Sequence, residues 1–166
     1  RLGDIKGTIP SSTVSYDGSR CPDLTISFKW NSERNVEGYM GKVYSTGGES
    51  GLGQHGSMSR HEMNNTLICQ GTHFKKGERM LSPSGNIDIM PTILDILEVP
   101  APDSITGRVL KESFVGSNSK VISKTTEYQA SRMFDRGLYS QRIVVSNVGT
   151  VIYLDEGNSI HEFRGD

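Results

Sequence analysis

The chain has little of what marks several large classes of protein. Of its 166 residues, 18 are basic and 19 are acidic, so it offers no basic surface for nucleic acid or an anionic membrane. No apolar run approaches the roughly 20 residues that a membrane-spanning helix requires. No signal peptide is recognisable either, but the chain opens with Arg1 rather than Met, so this absence is uninformative.

Cysteine is scarce, with only Cys21 and Cys69 in the chain. Each adjoins or lies within a predicted strand, which favours two buried free thiols. Spacing alone leaves a disulfide open, so the two residues fix neither a pairing nor the redox compartment.

Several motifs that announce a chemistry are missing. There is no Gly-x-x-x-x-Gly-Lys-Ser/Thr phosphate loop, no Gly-x-Gly-x-x-Gly after a strand, and no Gly-x-Ser-x-Gly elbow. Serines are plentiful, but none stands near a histidine in a way that marks it as a nucleophile.

What is present predicts an α/β chain with many turns. The 19 glycines exceed the usual share of about 7%. Residues 24–30 alternate apolar and polar side chains and predict a strand whose buried face carries Leu24, Ile26, Phe28 and Trp30. Residues 31–60 lack periodicity and are rich in glycine, which is typical of a long loop that builds a site. The short apolar run 66–69 predicts a core strand.

Residues 88–98 give the strongest helix signal. Asp88 can cap the helix, Pro91 falls in the first turn, and Pro100 enforces the end. Spacings of three and four predict that one face packs on a sheet through Met90, Ile93, Leu94 and Leu97.

The end of the chain is rich in strand formers. Three segments predict strands, namely 120–125, 141–148 and 150–154, and residues 147–149 supply a tight turn between the last two. We interpret residues 1–118 as the main α/β portion and 119–166 as a small antiparallel β extension.

Among the four histidines, His55 is the candidate for chemistry. Gly53 and Gly56 flank its loop and let the backbone turn sharply, so the imidazole can project without obstruction. A zinc site needs three or four ligands, and no companion stands at a recognised spacing, even with His61 and Glu62 nearby. The remaining two, His73 and His161, are expected to be solvated.

Two segments resemble a known family. Residues 53–59 (GQHGSMS) are followed by Asn-x-Thr-Leu-Ile at 64–68 and by Gly-x-x-Phe-x-x-Gly at 71–77. This order resembles the stretch that carries the last metal-binding histidine of the alkaline phosphatase superfamily, and it is closest to the type I phosphodiesterase/nucleotide pyrophosphatase-like branch.

The second segment is residues 85–94 (GNIDIMPTIL), with Pro102 and the sequence GRVL at 107–110 after it. It resembles a signature that these enzymes share with sulfatases. Both motifs occur in the family's order, over residues of about 53–112.

The resemblance implies the C-terminal part of an alkaline-phosphatase-like α/β/α sandwich. It makes His55 a ligand of one of two divalent metals, usually zinc, in an enzyme that hydrolyses phosphate esters through a Ser or Thr nucleophile. That nucleophile, the other metal ligands and the family's Asp-His pair have no counterpart here, so the chain alone is expected to be inactive and the missing N-terminal portion of the domain is its expected partner. The helix at 88–98 corresponds to scaffold only.

Two alternatives stay open: a sulfatase of the same superfamily, and a non-catalytic binding or structural module that retains this subdomain. The resemblance is compatible with a periplasmic or secreted protein, but the sequence does not fix the location. Substrate, metal identity and oligomeric state are equally undetermined.

Overall fold

A computed structural model of the chain describes residues 5–44 and 55–163. This part is mixed α/β, as predicted, with two antiparallel sheets. Its helices are α1 (Arg60–Met63) and α2 (Ile89–Ile96), and its strands are β1 (Trp30–Arg34), β2 (Met40–Val43), β3 (Ser123–Phe134), β4 (Gly137–Val148) and β5 (Val151–Phe163). Neither of the described helices is long and apolar enough to cross a membrane.

The chain divides into two compact units. The first comprises the described parts of Arg1–Asn65, Thr126–Val145 and Leu154–Asp166, and the second comprises Thr66–Thr125 and Ser146–Tyr153. The division into residues 1–118 and 119–166 stays a prediction.

Strands β1 and β2 form an antiparallel hairpin within the segment predicted to be a loop, so the expectation for 31–60 was partly wrong. Asn31 lies opposite Lys42 and Arg34 lies opposite Met40. Two residues of β1, 32 and 33, therefore face the single residue 41 of β2, which is a β-bulge. These strands were missed because most of their side chains are polar and show no apolar alternation.

Strands β3, β4 and β5 form the second sheet, in that order. The predicted antiparallel strands near the end of the chain are confirmed, although each is longer than expected. The turn between β4 and β5 contains Gly149, whose φ of 59° lies in the left-handed region that glycine adopts at little cost.

Two predicted strands were wrong. Residues 24–29 belong to no strand among the described residues, although the carbonyl of Lys29 accepts a hydrogen bond from the backbone N–H of Tyr44 (2.9 Å). Strand β1 begins only at Trp30, where the alternating pattern ends. Trp30 is buried, whereas Ile26 is 74% exposed. Residues 66–69 are also without a strand, and Ile68 is 83% exposed. A period-2 pattern encodes an apolar face, but a strand also needs a neighbour for its backbone hydrogen bonds.

The predicted helix is confirmed as α2, preceded by a 3₁₀ turn at Asn86–Asp88. It ends before Pro100, and Glu98 takes the left-handed conformation that closes it (φ 55°). The predicted burial of its apolar face was wrong for three of the four residues, because Met90 is 56%, Ile93 47% and Leu97 62% exposed. Leu94 is partly buried. The buried residues of α2 are Pro91 and Thr92.

Asp88 organises the start of α2, although not as the predicted cap. Its carboxylate is fully buried and accepts hydrogen bonds from the backbone N–H of Gly85 (2.9 Å), the backbone N–H of Arg108 (2.8 Å) and the hydroxyl of Tyr153 (2.9 Å). One carboxylate thus satisfies three donors from separate segments of the second unit. The hydroxyl of Thr92 accepts a hydrogen bond from the backbone N–H of Leu110 (3.1 Å), which links α2 to the segment that contains Arg108.

Arg108 extends this arrangement into a network. Its guanidinium binds both carboxylate oxygens of Glu112, at 2.8 and 3.0 Å, and donates to the carbonyl of Pro83 (2.8 Å) and the hydroxyl of Tyr153 (3.1 Å). Burial and the hydrogen bond to Asp88 raise the pKa of Tyr153 to about 12. Gly107 must be glycine, because a Cβ there would overlap the carbonyl of Ile87. The second family-like motif is therefore a packed structural unit.

We predict that Asp88→Ala lowers the free energy of unfolding by roughly 3 kcal/mol, because it leaves one buried hydroxyl and two partly buried backbone N–H groups without an acceptor. Chemical denaturation monitored by circular dichroism measures the change. Asp95→Ala on the same helix is the matched control, since Asp95 makes only a long, exposed ion pair with Lys111 (3.7 Å). Equal destabilisation by the two substitutions would contradict the role assigned to Asp88.

Candidate functional site

His55 is exposed and lies in a segment without regular structure. Residues 45–54, which include Gly53 of the predicted motif, lie outside the described residues. Gly56 follows with a φ of 91° and open space where a Cβ would stand. The glycine after the histidine thus supports a sharp turn, as the sequence indicated. The assignment of His55 as a metal ligand stays a prediction.

Among the described residues, His55 belongs to no cluster of metal-ligating side chains. Within residues 5–44 and 55–163, no group of three or more His, Cys, Asp and Glu side chains could hold a metal ion. His73 contacts the hydroxyl of its neighbour Thr72 (3.3 Å), and the ring of His161 lies 4.1 Å from that of Phe163. His55 and its described surroundings therefore do not make up a complete zinc site.

Cys21 and Cys69 are free thiols in the structure. The expectation that both are buried was wrong, because Cys21 is partly exposed and Cys69 exposed. The expectation depended on strands predicted at 24–30 and 66–69, and these strands do not form as predicted.

The residues after His55 form a compact turn that leads into α1. Ser59 is fully buried, and its hydroxyl accepts a hydrogen bond from the backbone N–H of His61 as the helix cap (3.3 Å). Glu62 reaches back to the backbone N–H of Ser57 (3.0 Å). The sequence Ser-x-x-Glu at 59–62 is a capping-box pattern that could have predicted this short helix.

Trp30 anchors this region in the first unit. Its indole N–H donates to the carbonyl of Gly157, and the side-chain amide of Asn158 pairs with the backbone N–H and carbonyl of Trp30, at 3.3 and 2.9 Å. Gly157 in turn donates its N–H to the carbonyl of Met58 (2.8 Å). A Cβ at Gly157 would lie 2.7 Å from the sulfur of Met58 and 3.1 Å from a methyl carbon of Ile143, so a larger residue would displace these side chains.

A buried carboxylate supports the same region. Glu156 is 6% exposed and binds the guanidinium groups of Arg60 (2.9 Å) and Arg142 (2.7 Å). Burial alone would raise the pKa of Glu156, but the hydrogen bonds from Arg60 and Arg142 outweigh it, so the pKa lies below its usual value. Arg60 also lies over the ring of Trp30, 5.6 Å from its centre.

One pairing of reactive side chains was missed by the sequence analysis. The Nε2 atom of His61 lies 3.1 Å from the Oγ atom of Ser32, and both residues are exposed. The two are 29 positions apart, and Ser32 belongs to the hairpin that was expected to be a loop. No spacing rule connects them, so the pair could be found only after folding.

Comparison with protein-family models, curated proteins and solved structures yields no match. The family resemblance consequently depends on the residues of the two motifs alone.

The lowered pKa of Glu156 predicts an acid-sensitive contribution to stability. A carboxylate whose pKa falls on folding stabilises the protein at every pH above the pKa of the unfolded state, which is near 4.5. This contribution is lost as the pH falls through the lower pKa of the folded state. We expect Glu156→Gln to cost about 1–2 kcal/mol near neutral pH, because both arginines keep part of their hydration, and less below about pH 4.

The measurement is the free energy of unfolding of wild type and Glu156→Gln across the acid range. Glu33→Gln is the control, because Glu33 makes an exposed ion pair with Lys42 and should matter far less. A difference between wild type and Glu156→Gln that does not change with pH would contradict the assignment.

Proposed function

We propose that this chain is the C-terminal part of a metal-dependent phosphodiesterase or phosphatase of the alkaline phosphatase superfamily, in its nucleotide-pyrophosphatase-like branch. In the complete enzyme, His55 is one ligand of a two-metal centre and a further stretch of polypeptide supplies the other ligands and the nucleophile. The observation that carries the proposal is the ordered pair of motifs at 53–59 and 85–94, the second continued by GRVL at 107–110.

The environment of His55 supports this role. The imidazole is exposed, and Gly56 beside it leaves open space. An accessible histidine without companion ligands among the described residues is consistent with a metal site whose other ligands come from a further stretch of polypeptide. Divalent metals would polarise the ester oxygens of a bound substrate. The described residues do not supply enough ligands to hold such a metal by themselves.

The exposed apolar surface of the second unit supports a missing partner. Met90, Ile93 and Leu97 lie on the face of α2 that the helical period marks as buried, yet all three are exposed. The first unit shows the same contrast in the alternating residues Leu24, Ile26 and Phe28. Regular apolar patterns without cover fit an α/β/α sandwich whose core another part of the same domain completes.

A non-catalytic module is the second candidate, favoured by one observation. The network around Asp88 and Arg108 is complete within the described chain, whereas the described residues provide no metal-ligand set. A sulfatase is disfavoured, because the His-Gly-Ser loop followed by Asn-x-Thr-Leu-Ile at 64–68 fits the phosphodiesterase-like branch better.

We predict that the purified 166-residue chain neither hydrolyses a nitrophenyl phosphodiester nor holds zinc stoichiometrically, since a single histidine lacks the chelate advantage of a full site. A longer polypeptide that includes the residues encoded upstream should turn the substrate over, and His55→Ala in it should lower turnover by at least roughly 100-fold.

The control for His55→Ala is His73→Ala, another exposed histidine. Turnover by the 166-residue chain that disappears in His55→Ala would refute the fragment proposal. A longer polypeptide that has no activity, or whose activity survives His55→Ala, would favour the non-catalytic module.

The apolar face of α2 gives a separate prediction. Ile93→Lys should change the stability of the isolated chain by no more than about 0.5 kcal/mol, because the side chain is already half exposed. In complementation with the upstream polypeptide, the same change should weaken association at least about tenfold, because it places a charge in an apolar contact.

Titration calorimetry of the two polypeptides measures this effect. Asp95→Lys, on the same helix but outside the apolar face, is the matched control. Equal association of wild type and Ile93→Lys would show that this face does not receive the partner.

A further inference from the structure

Ser32 and His61 form a polar pair on the surface of the first unit. The distance between Ser32 Oγ and His61 Nε2, 3.1 Å, is within hydrogen-bond reach. In the tautomer that carries its proton on Nδ1, Nε2 accepts the proton of the serine hydroxyl. This is the arrangement by which a histidine converts a serine into a nucleophile.

The backbone of the β1–β2 hairpin aims the serine. Ser32 lies in the bulge of β1, where two residues oppose Gly41 alone. The side chain of Asn31 fixes this bulge by accepting a hydrogen bond from the backbone N–H of Glu33 (3.0 Å). Bulges often redirect a side chain at a functional site, because they break the regular alternation of a strand.

The imidazole is held from two further sides. Its ring meets that of Trp30 edge to face, with centres 5.8 Å apart and planes at 86°. Gly41 makes room for it, because a Cβ there would lie only 2.8 Å from Cβ and Cγ of His61. Gly41 has a φ of 97°, so the conformation that creates this space also favours glycine.

We propose that Ser32 is a second, independent nucleophile of this protein, with His61 as its general base, and that it takes activated acyl esters and their phosphonyl analogues. The proposal goes beyond the phosphodiesterase assignment, whose own nucleophile lies outside this chain. In the reaction with an alkyl fluorophosphonate, Ser32 Oγ forms a bond to phosphorus and the P–F bond breaks. Fluoride leaves with the bonding electrons, and the hydroxyl proton passes to His61 Nε2 and then to water.

The test treats the folded 166-residue chain with a fluorophosphonate probe, then locates the adduct by peptide mass spectrometry. We expect one adduct, on Ser32, and none on that residue when the chain is first unfolded in guanidinium. His61→Gln should lower the labelling rate roughly 100-fold, the lower end of the contribution of a general base. Ser131→Ala, which removes an exposed serine of β3, should leave the rate unchanged.

Three results would overturn the proposal: no adduct on Ser32 in the folded wild type, equal labelling of the unfolded chain, or an unchanged rate in a folded His61→Gln. Far-ultraviolet circular dichroism reports whether that variant is folded. The first two criteria need no substitution, so they decide the matter even if His61→Gln does not fold. Loss of phosphodiesterase activity in the longer polypeptide would not bear on this result.

Discussion

Within each unit of this chain, a buried carboxylate that satisfies several donors holds separate segments in place. Asp88 accepts from two backbone amides and a tyrosine hydroxyl, and Glu156 accepts from two guanidinium groups. Among the described residues, few apolar side chains are buried: Trp30, Ile143 and Val145 in the first unit, and Leu110, Val151 and Tyr153 in the second. With so little apolar burial, polar groups that are desolvated must be fully paired or they would destabilise the fold. Nowhere in the described chain is a buried side-chain nitrogen or oxygen left without a hydrogen-bond partner.

The parts of the fold that could be predicted are those in which the local sequence decides the outcome. Pro91 and Pro100 bracket α2 because proline is accepted in a first turn and excluded from a helix interior. Gly149 and the strand formers around it specify the final hairpin in the same local way. The predictions that failed required knowledge of a neighbour. Residues 24–28 carry a strand pattern, but they form no strand in the described chain.

In the candidate site, too, features set by adjacent residues could be predicted, whereas contacts between distant residues could not. The glycine-flanked His55 could be selected from sequence because a motif of adjacent residues carries the signal. The contact of Ser32 with His61 could not, because it depends on a bulge in β1 and on the absence of a side chain at Gly41. Asp88 was recognised as the start of a helix, but its role as a common acceptor depends on Arg108 and Tyr153, which are 20 and 65 positions away.

Two independent features underlie the proposal that a further stretch of polypeptide completes this chain. One is thermodynamic: Ile93 and Leu97 follow the helical period of a packed face, and leaving such a face in water forfeits roughly 25 cal/mol for each Å² of apolar surface. The other is chemical: a histidine that binds zinc needs at least two more protein ligands, and the described residues do not group them. Neither feature depends on the other, since a metal site can exist without an exposed apolar helix, and an exposed apolar helix can exist without a metal site. Under the proposed function, each feature is completed by polypeptide from outside this chain.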